Sequence, residues 1–236
     1  MTPEFLEQLA RARAEHRPVV LATCIAPADA AGTQYLLPDP AAPAGLNSAA
    51  DAALAADRSR TLRNVGGEWF LHVYNPQPRL LLIGAVHISQ ALAPLGAMLG
   101  FAVTLIDPRG AFASFERFPN VALRAAWPDE ALDELRPDSR SAIVTLTHDP
   151  KLDDPALDRA LKSPAFYIGA LGSKRTHAAR LARLAALGHS EAELARIHGP
   201  AGLSIDAVTN PEIALAILAE IISVRRKAGS EAKAAA

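Results

Sequence analysis

The chain has 236 residues, half of them apolar, with 24 Lys and Arg against 25 Asp and Glu for a net charge of −1, a balance that exerts no general pull on nucleic acid or an anionic membrane. No apolar run approaches the length that spans a bilayer, and Met1-Thr2-Pro3-Glu4-Phe5 lacks a basic-then-apolar leader pattern, so a cytoplasmic protein is expected. The single cysteine, Cys24, excludes an internal disulfide and a cysteine-only metal site.

In chain order, residues 3 to 15 place Phe5, Leu6, Leu9 and Ala12 on one face and predict a short amphipathic helix. Pro18 to Ile25 reads as a strand, with Cys24 as a core thiol rather than a soft metal ligand. Residues 26 to 46, rich in Pro, Asp and Ala without period, read as a loop. Asn47 and Ser48 then offer N-caps to an Ala-rich helix reaching about Asp57, and Gly66-Gly67 opens a strand over Glu68 to Tyr74. Asn75-Pro76-Gln77-Pro78 looks like a linker, which divides the chain into a small α+β piece over 1–75 and a larger α/β piece over 76–228. The tail, 229–236, is expected to fray.

The larger piece opens on Pro78-Arg79-Leu80-Leu81-Leu82-Ile83-Gly84-Ala85-Val86-His87-Ile88-Ser89, a strand buried on both faces that ends in a glycine turn. A helix over Ser89 to Leu99 follows, closed by Gly100, and a second aliphatic run ends in Asp107. Strand, glycine turn, helix, strand and acid, the acid about twenty residues past the turn, make the start of a dinucleotide-fold unit. The turn departs from G-x-G-x-x-G, because Val86 stands where a second glycine lets backbone approach a pyrophosphate. Strands over Val121 to Ala125, Ser141 to Thr147 and Ala165 to Leu171 alternate with helices over Asp129 to Leu135, Asp153 to Leu161 and from Ser173 to Ala186. Ser190 and Glu193 form a capping box, and a long helix runs from Pro211 to about Arg226. This alternation predicts a Rossmann-like, doubly wound parallel sheet.

Ligands of such sheets bind beyond the carboxyl ends of the strands. Those ends carry Gly84 and His87, Asp107 and Arg109, Thr147, His148 and Asp149, and Gly172, Ser173, Lys174 and Arg175. The Gly-Ser-Lys-Arg-Thr turn joins free helix N-terminal amides to two cations, which suits a phosphate; Lys174 and Arg175 as solvated first-turn residues is the alternative. His148 with Asp149 reads as an acid/base pair, as half of a metal site or as a capped strand end. His87 reads as a phosphate donor or as packing against the sheet edge. Asp107 is either a ribose acid or a turn former before Pro108.

In order, these turns resemble the XdhC/CoxI family of xanthine dehydrogenase accessory proteins over roughly 76 to 226. The resemblance lies in Pro78-Arg79, Gly84-Ala85-x-His87, Leu99-Gly100-Phe101 through Asp107-Pro108-Arg109, Arg117-Phe118-Pro119, Thr147-His148-Asp149 and Tyr167-Ile168-Gly169-Ala170-Leu171-Gly172-Ser173-x-Arg175-Thr176. It continues through Gly202-Leu203 to Glu212-Ile213-Ala214 and Ala219-Glu220-Ile221. It implies a small N-terminal domain, here shortened, a Rossmann-like C-terminal domain, and a non-enzymatic chaperone. Such a protein holds the molybdenum cofactor (molybdopterin) while a cysteine desulfurase adds its terminal sulfur, then passes it to a xanthine dehydrogenase-type apoenzyme. The residues alone also leave open an NAD(P)-dependent oxidoreductase or a ligand-free docking module. The apolar face of the last helix, with Ile213, Ile217, Leu218, Ile221 and Ile222, either covers the sheet or forms a dimer seam.

Overall fold

The computed structural model describes residues 3–63 and 66–234, with 228–234 described by backbone alone. Contacts divide the chain into two compact units, Met1–Pro76 with Arg226–Ala236, and Gln77–Arg225. The first unit contains α1 (Pro3–Ala14), β1 (Val19–Ala26), β2 (Gln34–Leu37), α2 (Leu46–Ala56), β3 (Arg60–Arg63) and β4 (Glu68–Tyr74). The second contains β5 (Arg79–Ile83), α3 (His87–Met98), β6 (Ala102–Ile106), β7 (Ala122–Arg124), α4 (Pro128–Leu135), β8 (Ser141–Thr145), α5 (Pro150–Leu161), β9 (Tyr167–Ala170), α6 (Lys174–Ala186), α7 (Glu191–Leu194), β10 (Ile197–His198) and the start of α8 (Asn210–Ala234).

In the first unit the strands form an antiparallel sheet in the order β2-β1-β4-β3. Alternation along β1 and β4 directs Val20, Ala22, Cys24, Trp69 and Leu71 onto Leu46, Ala49, Ala50 and Ala53 of α2. Cys24 is therefore a buried core thiol, as its apolar strand predicts. Three elements differ from expectation, one of them β3, a strand beside β4 that no sequence pattern predicts. The stretch expected as a loop contains β2, whose four residues pair with β1 from Val20↔Leu37 to Thr23↔Gln34; so short a strand exists only because a partner is beside it. α2 begins one residue before Asn47, with Gly45 as its N-cap. Asn47 instead clips Asp39, accepting its amide hydrogen at 3.0 Å and donating to its carbonyl at 2.9 Å.

The second unit is a six-stranded, wholly parallel sheet in the order β10-β9-β8-β5-β6-β7. Counted from β5 as the first strand this is 6-5-4-1-2-3, the Rossmann order, and it reverses between β5 and β8. β5 is buried on both faces, as its aliphatic run predicts. Leu80 and Leu82 pack with Leu92 of α3 and with Ile217, Leu218 and Ile221 of α8, while Leu81 and Ile83 pack with Leu132 of α4 and Leu157 and Leu161 of α5. Ile217, Leu218 and Ile221 of α8 are thus committed to covering the sheet, with Ile213 partly buried beside them. α8 also runs on to Ala234, past its expected end near Arg226. The fraying expected of 229–236 falls on residues whose side chains lie outside those described. Ser190 and Glu193 form the predicted capping box at α7. β10, two residues long, is too brief for any periodicity to reveal. It is held by Glu220, which accepts hydrogen bonds from the Tyr167 hydroxyl at 2.6 Å and the Gly202 amide at 2.8 Å, and by His198 stacked on Tyr167.

Because both faces of β5 are filled, truncation on either face should leave a cavity. Leu82→Ala and Ile83→Ala are each expected to cost about 2–5 kcal/mol in urea unfolding, with little change in m-value.

Candidate functional site

The glycine turn after β5 is shaped by close approach. Gly84 adopts φ +109°, and a Cβ there would clash with Cγ2 of Thr147, so the turn after β8 leaves room for glycine alone. Ser89, in the place of the third motif glycine, is buried and donates from Oγ to the Gly84 carbonyl at 2.5 Å. The close helix–strand packing that such a glycine serves falls instead to Gly96, whose Cβ would meet Leu80 at 2.7 Å. Val86 is the N-cap of α3 with an ordinary extended backbone, φ −99°. The helix thus begins at His87, not Ser89, and His87 is exposed at its first turn rather than packed on the sheet edge.

Asp107 occupies the expected acid position but is not an exposed carboxylate. It is 0% exposed, and its two oxygens accept four hydrogen bonds. These come from the Ala85 amide at 2.8 Å, the Arg109 amide at 2.9 Å, and Nε and Nη2 of Arg109 at 2.9 and 2.8 Å. Burial pushes this carboxyl up, but the hydrogen bonds from Arg109 and Ala85 and the Arg109 charge together hold it below its usual value. Arg109 is raised in turn, chiefly by its hydrogen bond to Asp107, with a smaller contribution from the charge of Asp149.

Beside this turn lies a cavity of about 460 Å³ lined by Ala85, Val86, His87, Arg109, Ala111, Phe112 and Arg117. Phe112 is 49% exposed and has two guanidiniums near its ring, Arg109 at 5.0 Å and Arg117 at 5.9 Å from the centroid. Arg117 donates to the carbonyls of Ala85 at 3.1 Å and Phe112 at 2.7 Å, tying the loop after β6 to the glycine turn. The walls are therefore cationic and aromatic, which suits an anion joined to a flat ring.

The other half of the rim is built on β8 and β9. Thr147 donates to Asp153 at 2.6 Å and accepts from the Asp149 amide at 3.1 Å. His148 between them is exposed and held at φ 61°, an uncommon conformation in which His is among the better-tolerated residues. Asp149 is the N-cap of α5, with Oδ1 accepting from the Lys151 amide at 3.0 Å. Gly172 turns at φ +141°, and a Cβ on it would stand 3.6 Å from His148 Nδ1, which brings the two turns side by side. Ser173 caps α6 through the Thr176 amide at 3.1 Å, with Lys174 and Arg175 exposed in the first turn.

Comparison with known proteins places this geometry. Residues 80–221 match the family model described as the XdhC Rossmann domain. The chain belongs to the XdhC family. It is 37% identical over 164 residues to the uncharacterized protein YqeB of Escherichia coli, covering 67% of this chain and 29% of that one. It is 33% identical over 168 residues to the E. coli molybdenum cofactor insertion chaperone PaoD, and 34% over 159 residues to a protein of Bacillus subtilis named as a probable xanthine dehydrogenase component. These matches cover 71% and 67% of this chain and 46% of each relative, so the chain spans less than half the length of these curated relatives. A crystal structure of a xanthine dehydrogenase from Bacillus halodurans superposes with a TM-score of 0.71 over 95% of this chain and 64% of that one. At 22% identity, that likeness shows the shared fold.

Within this XdhC domain, the structure joins Gly84 to Thr147, Asp107 to Arg109, and His148 to Gly172. Four residues absent from the sequence-based set also shape the site. Phe112 and Arg117 line the cavity; Arg117 sits in the Arg-Phe-Pro segment of the family resemblance, but nothing in its sequence neighbourhood shows that its loop folds back over the turn. Asp153 and Arg180 lie beneath the rim, each 1% exposed. Arg180 donates to the Leu171 carbonyl at 2.8 Å and approaches Asp153 at 3.5 Å, while its Nε and Nη1 have no partner. Burial raises the Asp153 carboxyl above its usual value despite Thr147 and Arg180. Among the described residues, no three His, Cys, Asp or Glu side chains cluster as metal ligands.

A folded-state pKa held below the unfolded value near 4 means that Asp107 contributes stability above that pH, and that this is lost as pH falls through the folded value. Asp107→Asn should cost about 3 kcal/mol at pH 7 by stranding buried donors. Denaturant titrations below pH 5 should show a shallower acid-induced loss in the variant than in the parent.

Proposed function

We propose that this XdhC-family chain is a molybdenum cofactor-binding chaperone, holding molybdopterin at the carboxyl rim of its parallel sheet for insertion into a xanthine dehydrogenase-type apoenzyme. The observation that carries the reading is the cationic, aromatic cavity lined by the turn after β5 and the loop after β6 of a sheet in Rossmann order. One relative is itself named a molybdenum cofactor insertion chaperone. The donor set fits the group. Arg109 and Arg117 would meet its phosphate, Phe112 would pack on the flat pterin, and exposed His87 and His148 would hydrogen-bond its polar edge. Ser173, Lys174 and Arg175 form a second cationic edge on the same rim. The cofactor supplies redox chemistry only once it is in its enzyme; this chain's work is to bind, orient and release. An oxidoreductase reading, with His148 as acid and Asp107 on the ribose, gains no support at Asp107, which is enclosed. A cysteine desulfurase, which would add the terminal sulfur, belongs among the transient partners of such a handover.

Co-expression with cofactor biosynthesis, purification and denaturation should release a fluorescent pterin product. Arg117→Ala should lower pterin per protein about tenfold, the equivalent of 1.4 kcal/mol, while Lys162→Ala, in an exposed helical ion pair, should not change it. Release of nicotinamide instead of pterin by the parent chain would sink the reading.

A further inference from the structure

In a dinucleotide-binding unit the second strand ends in an acid whose free oxygens accept the hydroxyls of the adenosine ribose, and a nearby Arg accommodates a phosphate on that ribose when one is present. Asp107 holds the acid's place directly after β6, and it has no oxygen to offer. A carboxylate has about four acceptor sites, and four donors from Ala85 and Arg109 occupy its two oxygens with none of its surface exposed. Arg109 supplies three of those four donors. Its guanidinium is a rigid planar fork whose Nε and Nη2 edge is committed to Asp107, so the Nη1 edge is the one turned away. The side chain is 43% exposed and lines the cavity, with its guanidinium over Phe112. Val86 lines the same cavity with an apolar side chain, so the charge a ligand meets there comes from Arg109 and Arg117.

We propose that Arg109 is the specificity determinant of the cavity, which accepts a ligand bearing a phosphate beside a planar ring and discriminates against one presenting a neutral ribose diol. Arg109 touches the ligand; Asp107 acts through it as a positioning residue. The inference rests on the reading above that the cavity is a ligand site. Its consequence is that a fold built for dinucleotides excludes NAD and stays open to a phosphorylated pterin.

NAD and NADP differ by a single phosphate on the ribose in question, so the two used as probes isolate the contact. By calorimetry on the full chain, NADP should bind at least tenfold more tightly than NAD. Arg109→Ala should bring the ratio to within about twofold, mainly by weakening NADP. Because that variant strips a buried carboxylate of its partner, the double variant Asp107→Asn with Arg109→Ala gives the same readout without a stranded charge. NAD binding as tightly as NADP to the parent chain overturns the proposal, as does no NADP binding at millimolar concentration or a ratio unchanged in the variants. Pterin content separates the two readings. Pterin retained with a flat ratio removes this inference alone, and a tenfold ratio without pterin removes the chaperone alone.

Discussion

Taking the Asp107 carboxylate out of water is costly, and the four hydrogen bonds it accepts from Ala85 and Arg109 offset that cost only in one arrangement of the chain. Ala85 must present its amide toward the end of β6, which sets the path of the glycine turn. Arg109 must fold back over its own loop, which places its guanidinium beside Phe112. Arg117 then closes the same loop onto the Ala85 carbonyl. The cavity walls are therefore consequences of one buried charge and its partners, and the cationic character of the cleft follows from how that charge is neutralised.

A second buried charge acts on the far side of the crevice. Asp153 receives the Thr147 hydroxyl, and Arg180 bridges from Asp153 to the Leu171 carbonyl, so the turn after β8 and the turn after β9 share one support. Thr147 also fills the space that a side chain on Gly84 would need, which links this support back to the first turn. A buried ion pair of this kind adds little net stability, but it permits few alternative geometries. Burial pushes Asp153 up even beside Arg180, consistent with a long 3.5 Å contact and a guanidinium with two unpartnered nitrogens.

The departures from the dinucleotide fingerprint have physical compensations. Where the third glycine would let helix and strand approach, Ser89 satisfies the Gly84 carbonyl, and Gly96 supplies the close approach two turns later. Strand order, turn and helix placement survive the change, because they depend on close packing at specific points and not on one motif spacing. What changes is the chemistry offered at the end of β6, where the acid is enclosed and the Arg109 guanidinium lines the cavity.

Much of the fold was legible in the residues. The runs of β5, β8 and β9 bury both faces and can be read without partners, and the Ser190–Glu193 capping box is a purely local device. The rim positions Gly84, His87, Asp107, Arg109, His148 and Gly172 were visible as strand ends. β2 and β10 were not, because four- and two-residue strands exist only through pairing with β1 and β9. Nor could the residues alone decide whether Asp107 was exposed or enclosed, or that Phe112, Arg117, Asp153 and Arg180 converge on the cleft. Sequence determines which side chains stand at the strand ends, since hydrophobic period and turn chemistry are local. Which of them keep a free charge is decided by partners far along the chain, and only the tertiary structure brings those partners within hydrogen-bonding distance.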